Sequence, residues 1–412
     1  MKDWPNILPN MLKIKNLKNN PVVFNWLLIL TAVSLVFPDY SLVSKFMILL
    51  AIYWLFFYNS LQEKIWLLKQ NWLPFLSVSF LFWIAVIGMI YSHNLRGAIH
   101  DLILKLPFLL LPLIIFSSKN IIGFKTVYKY FSFTVLFVSI SSIFQALILK
   151  YLYETDYMYY QEFSFFTNKH PTYFGLMLVL AFIYFLIDVL KNKQLNFINL
   201  LALFFLLITL FINANRMSLI IVFLDALFLS WYGFSGQKKW LSVFLLLLLS
   251  LGMTQTHFFQ NRILPSFNQK DGDLVKRIRN ANLVIKTIQN QNFLIGRGTE
   301  SNRDDLYQRY KQAGAKIAYK EKYNAHNQFL ETTLDFGFLG LLVLLIFMGY
   351  HLYRIIKHKQ IAFLVIYLSI VAFMFTESIL ERQVGIILFA LFLSLILREM
   401  NPSKHKKENF AT

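Results

Sequence analysis

The chain has no cysteine among its 412 residues, which excludes disulfides, thiolate nucleophiles and cysteine-held metals while leaving the redox compartment open. Acid is scarce too: 21 Asp and Glu stand against 40 Lys and Arg, and charged residues make up only 15%. In a soluble protein the resulting charge of +19 would point to nucleic acid. Here many of the positives flank apolar runs as orientation signals and headgroup contacts, which argues for membrane lipids and against nucleic acid as partners. No small-residue cleavage site follows the first apolar run, which itself continues to spanning length, so the N-terminus does not read as a cleavable signal peptide. Internal repeats and low-complexity linkers are also missing. One membrane domain, residues 1–412, with one inserted polar subdomain, residues 256–327, is the economical organisation.

What is present is apolar length. Runs suited to crossing about 30 Å of hydrocarbon lie near Val22–Pro38, Leu42–Tyr58, Leu73–Ser92, Leu102–Phe116, Phe131–Leu149 and Pro171–Ile187. Six more lie near Phe197–Asn213, Met217–Tyr232, Leu241–Gln255, Asp335–Leu352, Ile361–Phe375 and Val384–Leu397. The expected fold is therefore an all-α polytopic membrane protein of about twelve transmembrane helices, with one large loop between helices 9 and 10. Positive charge alternates along the short connections. One set holds Lys2, Lys13, Lys15, Lys18, Lys64, Lys69, Lys119, Lys125, Lys129, Lys191, Lys193, Lys238, Lys239, Arg354, Lys357, Lys359 and the Arg398–Lys407 tail; the other set, around 38–41, 92–101, 150–170, 214–216 and 376–383, is poor in it. By the positive-inside rule both termini are cytoplasmic and the large loop is extracytoplasmic.

That loop carries thirteen Lys and Arg against six Asp and Glu, which long loops are free to do. Helical periodicity over Leu274–Ile288 and Asp304–Gln312 predicts two short amphipathic helices. Between them Gly296–Arg297–Gly298 marks a turn able to bring backbone amides toward a ligand, in competition with a plain turn. The loop ends in Asn324–Ala325–His326–Asn327, where an Asn cap opens a membrane helix. A helix N-terminus disfavours imidazolium, which suits a neutral His326 acting as general base; interfacial snorkelling is the competing reading. Arg216 stands in a connection so short that its guanidinium must sit at the rim of two helices or inside the bundle. It serves there either as an interface anchor or as a bidentate grip on phosphate, with Glu377 and Glu381 the nearest acids for pairing.

Several landmarks in order give the chain a resemblance to bacterial O-antigen ligases, a family that includes O-antigen polymerases and O-oligosaccharyltransferases. They are Lys169–His170–Pro171–Thr172–Tyr173–Phe174, Asn215–Arg216–Met217–Ser218, Lys276–Arg277–Ile278–Arg279, Gly296–Arg297–Gly298–Thr299, Asn324–Ala325–His326–Asn327–Gln328, Gly337–Phe338–Leu339–Gly340 and Thr376–Glu377–Ser378–Ile379–Leu380–Glu381–Arg382–Gln383. The resemblance implies a fold like the glycosyltransferase C group and a site at the periplasmic face of the bacterial inner membrane. The donor it implies is a glycan on polyprenyl (undecaprenyl) diphosphate; the acceptor is a hydroxyl of a lipid A core-like glycolipid, another glycan or a protein. Carried over, Arg216 and Arg277 hold the diphosphate and His326 takes the acceptor's proton. The tryptophan that many relatives carry shortly after the second arginine is missing, so Arg279 is the alternative to Arg277. Arg297, Lys105, Arg96, His170, Glu377 and Arg382 complete the expected substrate-binding set. Arg96 and Lys105 would meet phosphate or headgroups, Glu377 would orient an arginine or the base, and His170 has a capping role in competition with catalysis.

No cofactor or metal is expected, because a polyprenyl diphosphate leaving group needs charge neutralisation more than an acid. Asp271–Gly272–Asp273 and Asp304–Asp305 have paired-carboxylate spacing, but a turn explains the first as well, and hard cations usually take more oxygens. Ligase and polymerase share the donor and differ in acceptor; the His-Asn helix after one dominant loop favours the ligase. A lipid or polysaccharide transporter is the rival of another class, but such proteins show repeated halves and broken helices near the midplane.

Overall fold

The computed structural model describes residues 18–155, 157–191, 196–233, 236, 239–240 and 273–400, and among them every regular element is helical. The membrane part opens with α1 (Pro21–Ser34), α2 (Tyr40–Phe57), α3 (Leu61–Gln70), α4 (Trp72–Ile90), α5 (Leu95–Lys105), α6 (Pro107–Phe116), α7 (Phe124–Tyr153) and α8 (Tyr160–Thr167). It continues with α9 (Pro171–Lys191), α10 (Phe197–Asn213) and α11 (Arg216–Gly233). The polar segment supplies α12 (Asp273–Gln289), α13 (Arg303–Gln312) and α14 (Lys316–Lys320). The chain then re-enters through α15 (Gln328–Lys357), α16 (Ile361–Met374), a 3₁₀ turn (Ile379–Glu381) and α17 (Gln383–Glu399).

Seven helical segments are long and apolar enough to cross a membrane, with α5 and α6 counted together over Leu95–Phe116. Three more apolar helices, α1, α10 and α16, are shorter. At about 1.5 Å per residue a 14-residue helix rises only about 21 Å, so the expected twelve spans are not reached by this measure among the described residues. The expected ninth span, Leu241–Gln255, lies outside them.

Burial separates the centre of the bundle from its rim. Every residue of Pro171–Ile183 in α9 and of Val384–Leu397 in α17 is buried, as expected of helices that are apolar all round. α9 packs on α7, α10, α11 and α16, while α17 packs on α4 and α6. α2, by contrast, leaves Ile48, Leu49, Ile52, Leu55 and Phe56 exposed, a surface suited to lipid chains rather than water.

Polar contacts tie several connections to one another. Lys119 pairs with Glu63 at 2.9 Å, and Arg398 donates to the Ser118 carbonyl at 2.6 Å. Elsewhere Asn168 reaches the Pro38 carbonyl at 3.0 Å, Gln383 meets Ser44 at 2.7 Å, and Ser92 donates to the Thr299 carbonyl at 2.8 Å.

The polar segment shares a small core with the first turns of α15, built from Val284, Ile288, Leu306, Tyr310, Ala318 and Leu334 among others. It is fastened to α15 where that helix breaks. Gly337 has φ 62 and ψ −164, a conformation open in practice only to glycine, and it interrupts the helical ladder. The freed amides of Phe338 and Leu339 donate to the carbonyls of Phe293 and Leu294 at 2.8 and 3.0 Å, and the Asp335 carbonyl accepts from Gly298 at 3.0 Å. The kink therefore leaves these polar groups satisfied, as buried backbone requires. A Cβ on Gly337 would lie 2.5 Å from the Gly296 amide nitrogen. The Gly296–Arg297–Gly298 turn is thus used to bring backbone against backbone, and its Gly298 amide is taken by α15 rather than held out for a ligand.

Candidate active site

Asn327 caps α15: its side-chain oxygen accepts from Leu330 at 2.9 Å while its amide donates to the Phe375 carbonyl at 3.0 Å. The cap thereby ties the start of α15 to the end of α16. His326, directly before it, has left-handed backbone with φ 46, and its amide donates to Asn324 Oδ1 at 3.0 Å. Its Nδ1 lies 3.1 and 3.2 Å from the two carboxylate oxygens of Glu377. Tyr323 meets the imidazole edge-on at 4.9 Å between centroids. With Glu377 ionised, Nδ1 carries the proton of this hydrogen bond and Nε2 keeps a lone pair.

Burial disfavours the charge on Glu377, but the hydrogen bond from His326 and the nearness of His326, His170 and Arg277 outweigh it and hold the carboxyl below its usual value. Four residues on, Glu381 behaves oppositely. Burial raises it above the ordinary carboxylate range, Asp101 and Glu331 add to the rise, and Lys105 only partly offsets it. One acid is thus kept charged beside the imidazole, and the other is absorbed into the protein interior.

Glu331, fully buried in the first turn of α15, locks both members of the pair. One of its oxygens accepts from the Ala325 amide at 2.6 Å and from the Ser378 hydroxyl at 3.2 Å. These are the residues next to His326 and Glu377. Beneath it, Arg303 reaches Glu331, Glu300 at 3.1 Å and Asp335 at 3.4 Å. Gln328 accepts from the Leu380 amide at 2.8 Å and donates to Glu381 at 3.1 Å. Gln328, Glu331 and Asp335 share one face of α15 by their spacing, and their polar chemistry holds the adjoining turns together.

The pair opens on two cavities. The first, about 790 Å³, is walled by Lys276, Arg277, Arg279 and Lys316 together with His326 and Glu377. The second, about 720 Å³, runs from the same pair past Tyr40, Tyr173 and Arg382. His170 borders both. It is exposed at one edge yet recessed enough that lost solvation lowers its pKa, against the pull of Glu377, which favours the neutral ring. Its Nδ1 accepts a 3.4 Å hydrogen bond from the Thr172 amide, the capping geometry that competed with catalysis.

Of the residues singled out by sequence, His326, Arg277, Arg279, His170, Glu377 and Arg382 come together at these cavities; Arg216, Arg297, Lys105 and Arg96 line neither. Arg277 is exposed and donates to the Thr376 carbonyl at 3.1 Å. Arg216 opens α11 at the rim next to Asn215, whose amide reaches Thr172 at 3.1 Å, two residues from His170. Arg297 is engaged by Asp305. Lys105 is sealed from solvent between Asp101 at 2.7 Å and Glu381 at 2.8 Å, and Arg96 is exposed on α5. Among the described residues no group of three or more His, Asp and Glu is arranged to hold a metal ion. Asp271–Gly272 lies outside them, and the Asp305 of the other pair faces Arg297.

The lock formed by Glu331, Arg303, Asp335 and Gln328 was not anticipated from sequence. Its signal was available as three polar residues at i, i+3 and i+7 leading into an apolar helix.

Compared with known families, residues 201–345 match the model described as O-antigen ligase. The matched stretch holds Arg216, Arg277, Arg279, Arg297 and His326; His170, Glu377 and Arg382 lie beyond it. No curated protein matches the chain.

Proposed function

We propose that this chain, whose match over residues 201–345 supports the O-antigen ligase family, moves an oligo- or polysaccharide from a polyprenyl diphosphate lipid to an acceptor hydroxyl. The family implies glycosyl transfer between a lipid-linked glycan and an acceptor in general; the site suggests how. One observation carries the reading: the His326–Glu377 pair stands at the edge of a cavity walled by Lys276, Arg277 and Arg279. A base and a bed of cations are what transfer from a diphosphate requires.

In this mechanism the acceptor oxygen forms its bond to the anomeric carbon as the bond from that carbon to the diphosphate oxygen breaks. The bonding pair leaves with the diphosphate, whose growing charge meets Arg277, with Arg279 and Lys276 nearby. The hydroxyl proton passes to His326 Nε2, and Glu377 stabilises the imidazolium that results. A single displacement inverts the anomeric centre. Arg216, at the rim, is the second diphosphate ligand of this reading and would act on the lipid as it enters. Protein cations supply the positive charge, so transfer is metal-independent. The setting is the bacterial inner membrane with both termini cytoplasmic, the site on the periplasmic face, and the product destined for lipopolysaccharide or another surface polysaccharide.

The test is to supply purified protein with synthetic polyprenyl diphosphate glycan and candidate acceptors, with and without a chelator, and to determine the product and its anomeric configuration. Inverted glycan on an acceptor hydroxyl, unaffected by chelator, supports the proposal. Retention or chelator-sensitive transfer contradicts the chemistry, and flipping of labelled lipid without product indicates a transporter. Product on another repeat unit or on a Ser/Thr hydroxyl would identify a polymerase or a protein O-oligosaccharyltransferase.

A further inference from the structure

Inside the polar segment three apolar residues stand together and face outward. Phe293, Leu294 and Ile295 are 57%, 55% and 43% exposed, between Asn290–Gln291–Asn292 and the Gly296–Arg297–Gly298 turn. Apolar side chains exposed side by side mark contact with another apolar phase rather than with water. Their backbone carries a second sign. From the Phe293 carbonyl to the Gly296 amide, every polar group of the main chain is hydrogen-bonded within the protein. The carbonyls of Phe293 and Leu294 accept from Phe338 and Leu339 in α15, and that of Ile295 accepts from the Tyr91 hydroxyl at 2.9 Å. The amides of Leu294 and Ile295 donate to Asn292 Oδ1 at 3.0 and 3.3 Å, and the Gly296 amide donates to the Asn292 carbonyl at 2.8 Å. A turn bathed in water needs no such completeness, because water partners its free groups. In hydrocarbon nothing else can partner them, and irregular backbone is tolerated only when the protein satisfies it.

We infer that Phe293–Leu294–Ile295 is a membrane anchor of the polar segment, dipping into the lipid chains beside the end of α4 and the kink of α15. The occupant follows from what adjoins the turn. Phe293 stacks on Phe338 at 5.7 Å between centroids, and Tyr91, which holds Ile295, directly follows α4. Both helices are long and apolar enough to span a membrane. Both expose apolar side chains here, Ile87 and Ile90 on α4, Phe338, Leu339 and Leu342 on α15, so the triad extends a surface that already suits lipid. A tyrosine at this border is placed as in the aromatic belts of membrane proteins, with its ring among apolar groups and its hydroxyl at a polar one. The anchor also bears on α12. That helix runs into it through residues 290–292, and Gln291 fastens the approach by donating to the Thr333 and Leu334 carbonyls at 3.3 and 3.0 Å. Arg277 stands about 18 Å along α12 from its end at Gln289, at about 1.5 Å per residue. The depth of the anchor therefore helps to set the height at which the exposed cations of α12 stand over the bilayer, whatever reaction the site performs.

The test exploits the absence of cysteine, since one introduced thiol then carries one nitroxide label. Leu294→Cys and Ile295→Cys are labelled singly in the full chain, so that either gives the reading should the other fold poorly. Two references accompany them, Ile52→Cys on the exposed apolar face of α2 and Lys316→Cys on the exposed surface of the polar segment. Each protein is reconstituted into vesicles of phosphatidylethanolamine and phosphatidylglycerol. Electron paramagnetic resonance reads the collisions of the label with oxygen, which concentrates in hydrocarbon, and with a neutral nickel chelate, which stays in water. The oxygen-to-nickel ratio at 294 and 295 should lie close to that at 52 and severalfold above that at 316. A ratio at 294 and 295 close to that at 316 places the turn in water and overturns the inference. Poor collision with both probes overturns it as well, because protein then covers the triad, and spin–spin broadening in that sample would identify the cover as a second copy of this chain.

Discussion

Two groups of positive charge lie around the polar segment and the helix ends it packs on, and have opposite fates. Lys105 and Arg303 are buried, each held by carboxylates from more than one element. Arg277, Arg279 and Lys316 are exposed around a cavity. A buried cation whose partners are already carboxylates has its charge neutralised internally and is poorly placed to attract a ligand. An exposed cation beside a cavity keeps its field for whatever enters. Sequence treats the two kinds alike, and that is why Lys105 and Arg277 both stood among the expected substrate contacts.

The comparison would break most visibly at Arg303. Arg303→Ala leaves Glu331 and Asp335 buried without their counter-ion and should destabilise the protein by about 3–5 kcal/mol, read as a large fall in unfolding temperature. Arg277→Ala should leave that temperature nearly unchanged. Similar melting of the two variants would erase the distinction between internal and available charge.

Next in size is the carboxylate that faces the imidazole. Glu377→Gln keeps the shape and removes a charge-assisted hydrogen bond of about 1.5–3 kcal/mol, so the transfer rate should drop roughly tenfold to a hundredfold with donor affinity retained. A loss confined to donor affinity would place Glu377 with the binding cations.

Smaller effects separate the exposed cations from each other. Neutralising Lys316, Lys320 and Lys322 together should flatten the salt dependence of donor capture with little change in rate, since such charges act through a screened field. Neutralising Arg277 should lower the rate at every salt concentration. Matching, salt-independent defects would mean that these charges hold the segment together.

The smallest expected effect is on stability against pH. The Glu377 carboxyl is held below its unfolded value of 4.5, so its contribution is complete above that pH and is lost as pH falls through the folded value. Glu377→Gln should therefore flatten the acid limb of the stability curve below about pH 4.5 and leave the neutral region's slope unaltered. A change of slope near pH 7 would contradict the assignment.

How much of this was legible in the sequence depended on the length of the physical signal. α10 occupies the expected Phe197–Asn213, because an uninterrupted apolar run between an Asn cap and a polar turn admits little else. α12 and α13 also fall where helical periodicity put them. The short helices α3 and α8 went unread since neither has a spanning run, although Ser60 and Glu63 form a capping box at the start of α3 whose four-residue pattern is visible in the chain. Leu102–Phe116 became two helices meeting at Leu106–Pro107, with the polar Asp101 and Lys105 drawn inside. α15 starts at Gln328, directly after the Asn cap read from sequence, and so ahead of the apolar run near Asp335–Leu352, because its first turns are buried by hydrogen bonds and ion pairs, which a hydropathy run cannot register. The position of His326 before an Asn cap was readable; Glu377, 51 residues away, was expected to orient either an arginine or the base, and only the fold selects the base, because nothing local specifies which turn folds over His326.

The most direct test follows donor binding and glycan transfer in one sample of purified protein, wild type and His326→Ala, reconstituted with polyprenyl diphosphate glycan and acceptor. The account predicts that both bind the donor alike, while the variant transfers at least about a hundredfold more slowly, the scale expected for loss of a general base. Equal transfer by the two proteins would contradict it.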